Sequence, residues 1–241
     1  MNLALLGHGK MGQAVEHLAA QRGHKISAVF DRQNPFTPHS DLNGADILID
    51  FSSADAVLSH LKWAASTATP IVEGTTGWYS ELPKIHTFQG LTLLYSPNFS
   101  LGVYAFSKIV ESAARLFDRI GGYDAYIHEW HHAGKADSPS GTAKKLADVL
   151  LANFTSKTQI QAETSHGKID LTRLHVTSTR AGAIFGTHEI GFSSPYDWVT
   201  LRHQAVTREG FAEGALRAAE WLAGRTGIFT MDDLMNDLLQ S

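Results

Sequence analysis

Apolar residues open this chain as a short unbroken run from Leu3 to Leu6, spread to helical spacing at Met11, Val15, Leu18 and Ala19, and close up again from Ile26 to Phe30. That pattern predicts a buried strand, an amphipathic helix ended by Gly23, and a second buried strand. A Pro-containing loop over residues 33–40 follows. The alternation then resumes with a strand at 45–51, a helix at 53–65, a strand at 70–73, a helix at 80–88 and a strand at 91–95. Strands that are apolar on both faces and separated by helices predict a parallel sheet covered on both sides, a doubly wound arrangement.

Beyond residue 100 the rhythm changes. A helix is expected over 102–117, ending near Gly121-Gly122, and strands then cluster at 123–130, 174–179, 187–193 and 198–205. Several of these alternate polar and apolar residues, the mark of a mixed or antiparallel sheet with one face toward solvent or another subunit. Helix returns at 209–223, and a last short helix is expected with Thr230 as its cap. The expected fold is α/β, an N-terminal Rossmann-type doubly wound parallel sheet with a second α+β domain built on a mixed or antiparallel sheet. Residues 1–101, completed by the helices of 209–241, form the first domain and 102–208 the second.

The first strand runs straight into Gly7-His8-Gly9-Lys10-Met11-Gly12, and the second closes at Asp31. In this setting Gly7 allows a tight turn, Gly9 lets a pyrophosphate approach the helix N-terminus, and Gly12 permits close packing of helix on strand. Asp31 sits where a carboxylate takes the adenosine ribose hydroxyls. Its neighbour Arg32 can hold the 2′-phosphate of NADP, so NADH and NADPH both remain open. Two more polar segments, Gly74-Thr75-Thr76-Gly77 and Ser96-Pro97-Asn98-Phe99-Ser100, follow strands at what would be their carboxyl ends, the edge where such sheets bind ligands. Phe99 either stacks on a nicotinamide or packs in the core.

Composition narrows the classes. At 241 residues and 43% hydrophobic content the chain can bury a sizeable core. Twenty Lys and Arg against 24 Asp and Glu give a net charge of −4, which argues against nucleic acid as a partner, so any cationic site is local. There is no cysteine, which excludes disulfides and thiolate catalysis, and no apolar stretch reaches the ~20 residues of a membrane helix. A soluble, cytoplasmic protein with no membrane partner is expected.

The densest chemistry lies between His128 and Ala143, HEWHHAGKADSPSGTA. His131, His132 and Lys135 supply donors and movable protons just before a helix start. Asp137, Ser138 or Ser140 can cap that helix, Pro139 suits its first turn, and Ser140-Gly141-Thr142 leaves backbone N–H groups open to a carboxylate or phosphate. His128-Glu129-Trp130-His131-His132 also satisfies HExxH, the zinc-protease spacing. That spacing chelates on a helix, however, whereas this stretch reads as a strand, so no metal is expected.

Together GHGKMG, GTTG, SPNFSLGV and EWHHAGKADSPSGTA resemble the dihydrodipicolinate reductase family, also called 4-hydroxy-tetrahydrodipicolinate reductases, over essentially the whole chain. The resemblance implies NADH or NADPH as reductant, a small dicarboxylate as substrate, and a mixed-sheet domain that binds it and builds a homotetramer. It also implies His131 as proton donor and acceptor, Lys135 as proton donor, and His132, Gly141 and Thr142 as substrate contacts. Gly74, Thr75, Thr76 and Ser96, Pro97, Asn98, Phe99 become nicotinamide-side contacts. The first loop is one residue shorter than in many members, Lys10 stands where arginine is common, and residues 32–45 leave little room for a crossover helix. Other Rossmann oxidoreductases of small carboxylic acids, or a non-catalytic dinucleotide sensor, would share the first hundred residues without needing the His-His-Lys and Ser-Gly-Thr pair.

Overall fold

The structure, a computed structural model, describes residues 1–240. The chain alternates strictly at first: β1 (Asn2–Leu6), α1 (Lys10–Gln21), β2 (Lys25–Phe30), β3 (Ile47–Asp50), α2 (Ala54–Thr67), β4 (Ile71–Glu73), α3 (Leu82–Ile85) and β5 (Leu93–Tyr95). There follow α4 (Leu101–Ile120), β6 (Asp124–His131), α5 (Gly141–Asn153), β7 (Gln159–Gln161), β8 (Arg173–Arg180), β9 (Thr187–Ser193) and β10 (Trp198–Gln204). The chain ends with α6 (Glu209–Leu222), β11 (Ile228–Thr230) and α7 (Met231–Gln240). It divides into two compact units, one of Met1–Ser100 with the chain from Arg208 onward, the other Leu101–Thr207.

In the first unit six parallel strands lie in the order β11-β5-β4-β3-β1-β2. Every residue from Leu3 to Leu6 and from Ile47 to Asp50 is buried, so the central strands are covered on both faces, as their unbroken apolar runs require. Ala4, Leu6, Leu48 and Ile71 pack with Val57, Leu61 and Ala64 of α2. α6 returns onto α1 and β3–β5. Two features fix its seat. A Cβ at Gly214 would fall 1.8 Å from the Phe99 carbonyl oxygen, so only glycine lets α6 approach that backbone. The Arg22 guanidinium meanwhile forks between Glu213 and Glu220 at 2.6–2.7 Å. Such surface pairs are worth about 0–1 kcal/mol against ~1.5–3 for each buried Leu or Ile side chain, so the fork orients the helix while the apolar face holds it.

The second unit has one five-stranded mixed sheet, β10-β9-β6-β8-β7, with β6 antiparallel to β9 and parallel to β8. β6 alternates strictly: Ala125, Ile127, Glu129 and His131 are buried, while Tyr126, His128 and Trp130 face the other way. Phe106, Val110 and Ala114 of α4 and Ala143, Leu146, Ala147 and Leu150 of α5 close the buried face with Ile190 and Phe192.

Local differences from the sequence expectation have local causes. The helix expected at 80–88 is a 3-10 turn at Tyr79–Glu81 followed by one turn of α3, because Pro83 near its start lacks the N–H that would join the two. The three-residue strands β7 and β11 are too short for any periodicity to reveal. Residues 31–46 form a loop with no helix. Thr230 precedes α7 and is tied by its N–H and hydroxyl to the Asp233 carboxylate at 2.7 and 2.8 Å.

Candidate active site

The first loop of the parallel sheet has a different reason for each glycine. Gly7 has φ +89°, and a Cβ there would lie 2.4 Å from the Phe51 carbonyl oxygen. A Cβ at Gly12 would lie 2.2 Å from the Gly7 oxygen, so α1 can start this close to the turn only without a side chain. Around Gly9, by contrast, a Cβ would meet nothing within 4 Å. No protein contact demands glycine at Gly9, the N-cap residue of α1, and the space around it is open. His8 is anchored to Glu16 at 2.7 Å, Met11 is half-buried, and Lys10 is exposed. Asp31 accepts the N–H groups of Asn34 and Gln33, which hold its carboxyl below the usual carboxylate range, so it stays ionised. Arg32 beside it is exposed.

The other two polar segments join this loop along the carboxyl edge. Phe51 N–H bonds to Leu6 O, Gly74 N–H to Asp50 O and Ser96 N–H to Glu73 O, at 2.8, 2.8 and 3.1 Å, carrying the ladder one step past each strand. Thr75 is buried and its hydroxyl accepts the Ser52 N–H; Ser96 and Asn98 close a tight turn around Pro97, and Thr76 is exposed. The Phe99 ring is 2% exposed and packs edge-on to Phe51 at 6.1 Å between ring centroids, so of the two roles open to it the side chain takes the core one.

Under this edge lies a buried acidic group with no counterpart in the sequence reading. Asp50 pairs with His60 at 2.6 Å, and Glu73, also fully buried, accepts the Thr75 N–H at 2.6 Å. Burial, then the Asp50 carboxylate, push the Glu73 carboxyl well above its usual range, which favours the neutral acid in the fold. A raised acid pKa favours folding most below the unfolded value near 4.3 and progressively less as pH rises above it. Glu73→Gln, which keeps the acceptor for Thr75, should therefore raise stability by roughly 1–3 kcal/mol at pH 8. Denaturant melts across pH should show that gain shrinking to nothing near pH 4, and a pH-independent difference would refute the neutral-acid assignment.

In the second unit the site is built by strand register. β6 sets Glu129 opposite both Ser178 of β8 and His188 of β9, and His131 opposite Arg180. Glu129 is fully buried, and one of its oxygens, Oε1, accepts from Ser140 N–H at 2.9 Å, Ser178 Oγ at 2.7 Å and Arg180 at 2.8 Å. Its Oε2 lies 3.3 Å from His131 Nδ1 and 3.5 Å from His188 Nε2. Burial alone would raise this carboxyl, but His131, His188, Ser140 and Arg180 together hold it far below the carboxylate range, so it is a permanent anion. The same Arg180 Nη2 also donates to the Asp137 carbonyl at 2.6 Å, and the Asp137 carboxylate pairs with Lys135 Nζ at 2.6 Å. Polar groups thus line up from His131, 3.3 Å from Glu129, through Arg180 and the Asp137 carbonyl and carboxylate to Lys135. Burial raises the Asp137 carboxyl, but Lys135 and the backbone N–H groups of Asp137 and Gly141 outweigh it. An anion already rests between the lysine and the start of α5.

Ser140 is the N-cap of α5, accepting the Ala143 N–H at 3.1 Å, and Pro139 lies before the cap rather than in the first turn. Ser140 is also 2% exposed with its N–H engaged by Glu129, so it frames the anion site and is not an open donor to it. Gly141 and Thr142 begin the helix. His132, half-buried, turns the chain by accepting Lys135 N–H with its carbonyl, and its ring is not part of the Glu129 cluster. The HExxH stretch is strand as far as His131 and nowhere helix, so His128 and His132 do not chelate as on a helix. Glu129, His131 and His188 nonetheless bring three potential ligand atoms within 4.8 Å, but with the Arg180 guanidinium already on the carboxylate. Sequence reasoning missed Glu129, Arg180 and His188 as site residues. Period-two alternation carried a signal for the first, placing Glu129 on the face of His131, and none for the other two.

Family models described as dihydrodipicolinate reductase N-terminus and C-terminus match residues 1–99 and 102–235. A 4-hydroxy-tetrahydrodipicolinate reductase of Christiangramia forsetii is 37% identical over 246 residues, covering all of both chains. One of Archaeoglobus fulgidus is 35% identical, covering 98% of this chain and 100% of its own. Among solved structures, a dipicolinate-bound dihydrodipicolinate reductase from Paenisporosarcina sp. TG-14 shares the fold with a TM-score of 0.72 at 22% identity, covering 95% of this chain and 97% of its own.

Proposed function

Because this chain belongs to the dihydrodipicolinate reductase family, we infer that it reduces 4-hydroxy-tetrahydrodipicolinate to tetrahydrodipicolinate with NADH or NADPH, a step of lysine and diaminopimelate synthesis. The observation that carries the mechanism is the polar chain from His131 to Lys135 at the start of α5. A bound reduced nicotinamide supplies a hydride to an electron-poor carbon conjugated to an imine.

The residues of the chain do the rest. Gly9 and the α1 N-terminus hold the pyrophosphate, Asp31 the ribose hydroxyls, and Arg32 a 2′-phosphate where one is present. Lys135 and the Gly141 and Thr142 end of α5 hold a substrate carboxylate, which takes the place of the Asp137 carboxylate, and Lys135 protonates the departing hydroxyl. His131 protonates the enamine that hydride addition leaves. The sheet face opposite α4 and α5 carries Tyr126 and Trp130, and Trp198 is 65% and Tyr196 95% exposed nearby in the sequence of β10 and its turn. Such an aromatic face suits a subunit interface, and a homotetramer is assigned to it. Among the described residues no helix is long and apolar enough to cross a membrane, and a cytoplasmic enzyme is part of the same reading.

The decisive test is spectrophotometric. Purified protein should oxidise NADH or NADPH only when the product of dihydrodipicolinate synthase is generated in the same cuvette. Oxidation at the same rate without that product, or none with it, would overturn the reading.

A further inference from the structure

Glu129 is an ionised carboxylate whose two oxygens are treated very differently. Oε1 receives three donors, from Ser140, Ser178 and Arg180. Oε2 is buried and, among the described residues, receives no hydrogen bond, and the same is true of His131 Nδ1. These two orphaned atoms are 3.3 Å apart. A buried carboxylate oxygen without a donor is costly, and catalytic hydrogen bonds are often loose before substrate binds, so a small ring rotation that brings an Nδ1–H onto Oε2 relieves both atoms at once.

His188 is the other imidazole in reach, with Nε2 at 3.5 Å from the same oxygen and its ring edge-on to His131 at 5.2 Å between centroids. Its Nε2 also lies 3.3 Å from Ser140 Oγ. That hydroxyl, which accepts from Ala143 N–H, gives His188 Nε2 a partner other than Glu129, whichever of the two atoms holds the proton. His131 Nδ1, at 3.3 Å against 3.5 Å and with no other partner among the described residues, is the nearer donor for Oε2. At the far nitrogen, Gly186 leaves room: with φ +151°, it is the residue whose added Cβ would come within 3.0 Å of His131 Nε2.

We propose that Glu129 is a positioning residue for proton transfer: it keeps the neutral His131 ring protonated on Nδ1, so that Nε2, beside Gly186, is the nitrogen that exchanges protons with substrate. The charged and titratable groups around the ring are Glu129 on its own strand, Arg180 across the pair on β8, and His188 on β9. Arg180 and Ser140 act through Glu129, fixing the carboxylate that fixes the ring. The same carboxylate thereby ties the proton donor to the start of α5, where the substrate anion is held. This inference rests on the reading of His131 as the proton donor.

The test uses the full chain labelled with nitrogen-15 at histidine. Long-range proton–nitrogen correlation spectra at a pH where His131 is neutral, with the signal assigned by its loss in His131→Ala, should show the Nδ1-protonated tautomer in the wild type. An Nε2-protonated ring there would overturn the proposal with no variant needed. Glu129→Gln should invert the tautomer and lower kcat by about 10²–10⁴-fold with the nucleotide KM unchanged. Glu129→Asp should recover part of the rate. A fall in activity without a tautomer change would make Glu129 merely structural. Because Glu129→Gln leaves the Arg180 charge unpaired, Glu129→Gln with Arg180→Met is the companion variant, with the same tautomer inversion expected. Stoichiometric metal in the purified enzyme, bound by Glu129, His131 and His188, would also overturn it. If instead His131→Ala keeps wild-type turnover, the proton-donor reading fails, while the wild-type spectrum still decides what Glu129 does to the ring.

Discussion

His131→Ala should fold, bind NADH and NADPH with unchanged affinity, and lose about 10²–10⁴-fold in kcat, equivalent to roughly 2.7–5.5 kcal/mol of transition-state stabilisation. The large effect follows from what the reaction leaves behind. Hydride addition to a conjugated imine leaves an enamine that must collect a proton, and imidazole is the side chain whose proton is available near neutral pH. The small effect on nucleotide binding follows from the organisation of the chain. The glycine loop, Asp31 and Arg32 belong to the first compact unit, whereas His131 ends β6 of the second. Removing a ring that is 7% exposed leaves a small cavity and lowers thermal stability, so a melt accompanies the kinetics. Turnover near wild type in a folded variant would end the role assigned to His131.

Lys135→Ala should raise KM for the dicarboxylate and lower kcat together, because one ammonium serves both to hold a carboxylate and to protonate the departing hydroxyl. Its magnitude is bounded by an exchange. The ammonium is already paired with Asp137 at 2.6 Å, so the substrate replaces one carboxylate with another and does not gain a full new ion pair. Charge-assisted hydrogen bonds are worth ~1.5–3 kcal/mol, so the exchange sets about 10–150-fold as the upper bound on the loss of binding. A planar aromatic 2,6-dicarboxylate separates binding from chemistry, since it carries both carboxylates on a ring that cannot be reduced. Calorimetry with the nucleotide-loaded enzyme should show the diacid binding competitively with substrate and weakening in the variant by up to that factor. A variant that binds the diacid as well as wild type would remove Lys135 from the anion site.

Much of this was written locally in the chain. Leu3–Leu6 and Ile47–Asp50 are apolar at every position because both faces of their strands are covered, and a run of that kind can be read without knowing what covers it. Gly7 and Gly12 are required by contacts within the first strand–turn–helix unit and the adjoining strand, so the motif and its setting were legible together. The stretch from His131 to Thr142 likewise marked itself, because a helix start with nearby cations is an arrangement of consecutive residues.

What the sequence could not place were the groups that come from elsewhere to complete a buried charge. Arg180 reaches Glu129 from 51 residues away, and His188 arrives on a third strand. The Asp50–His60–Glu73 group likewise depends on a helix folding over two neighbouring strands. The sequence by itself determined the longer strands and helices, the faces they bury, and the short polar segments that stand at strand ends and helix starts, because those properties follow from spacing along one piece of backbone. Only the tertiary structure decided that Ser140 turns its N–H to Glu129 and that Phe99 belongs to the core. It alone decided that Glu129 stands between His131 and Arg180. Strand register and desolvation are set by which segments pair, and a carboxylate's protonation and partners are fixed only once that pairing has excluded water.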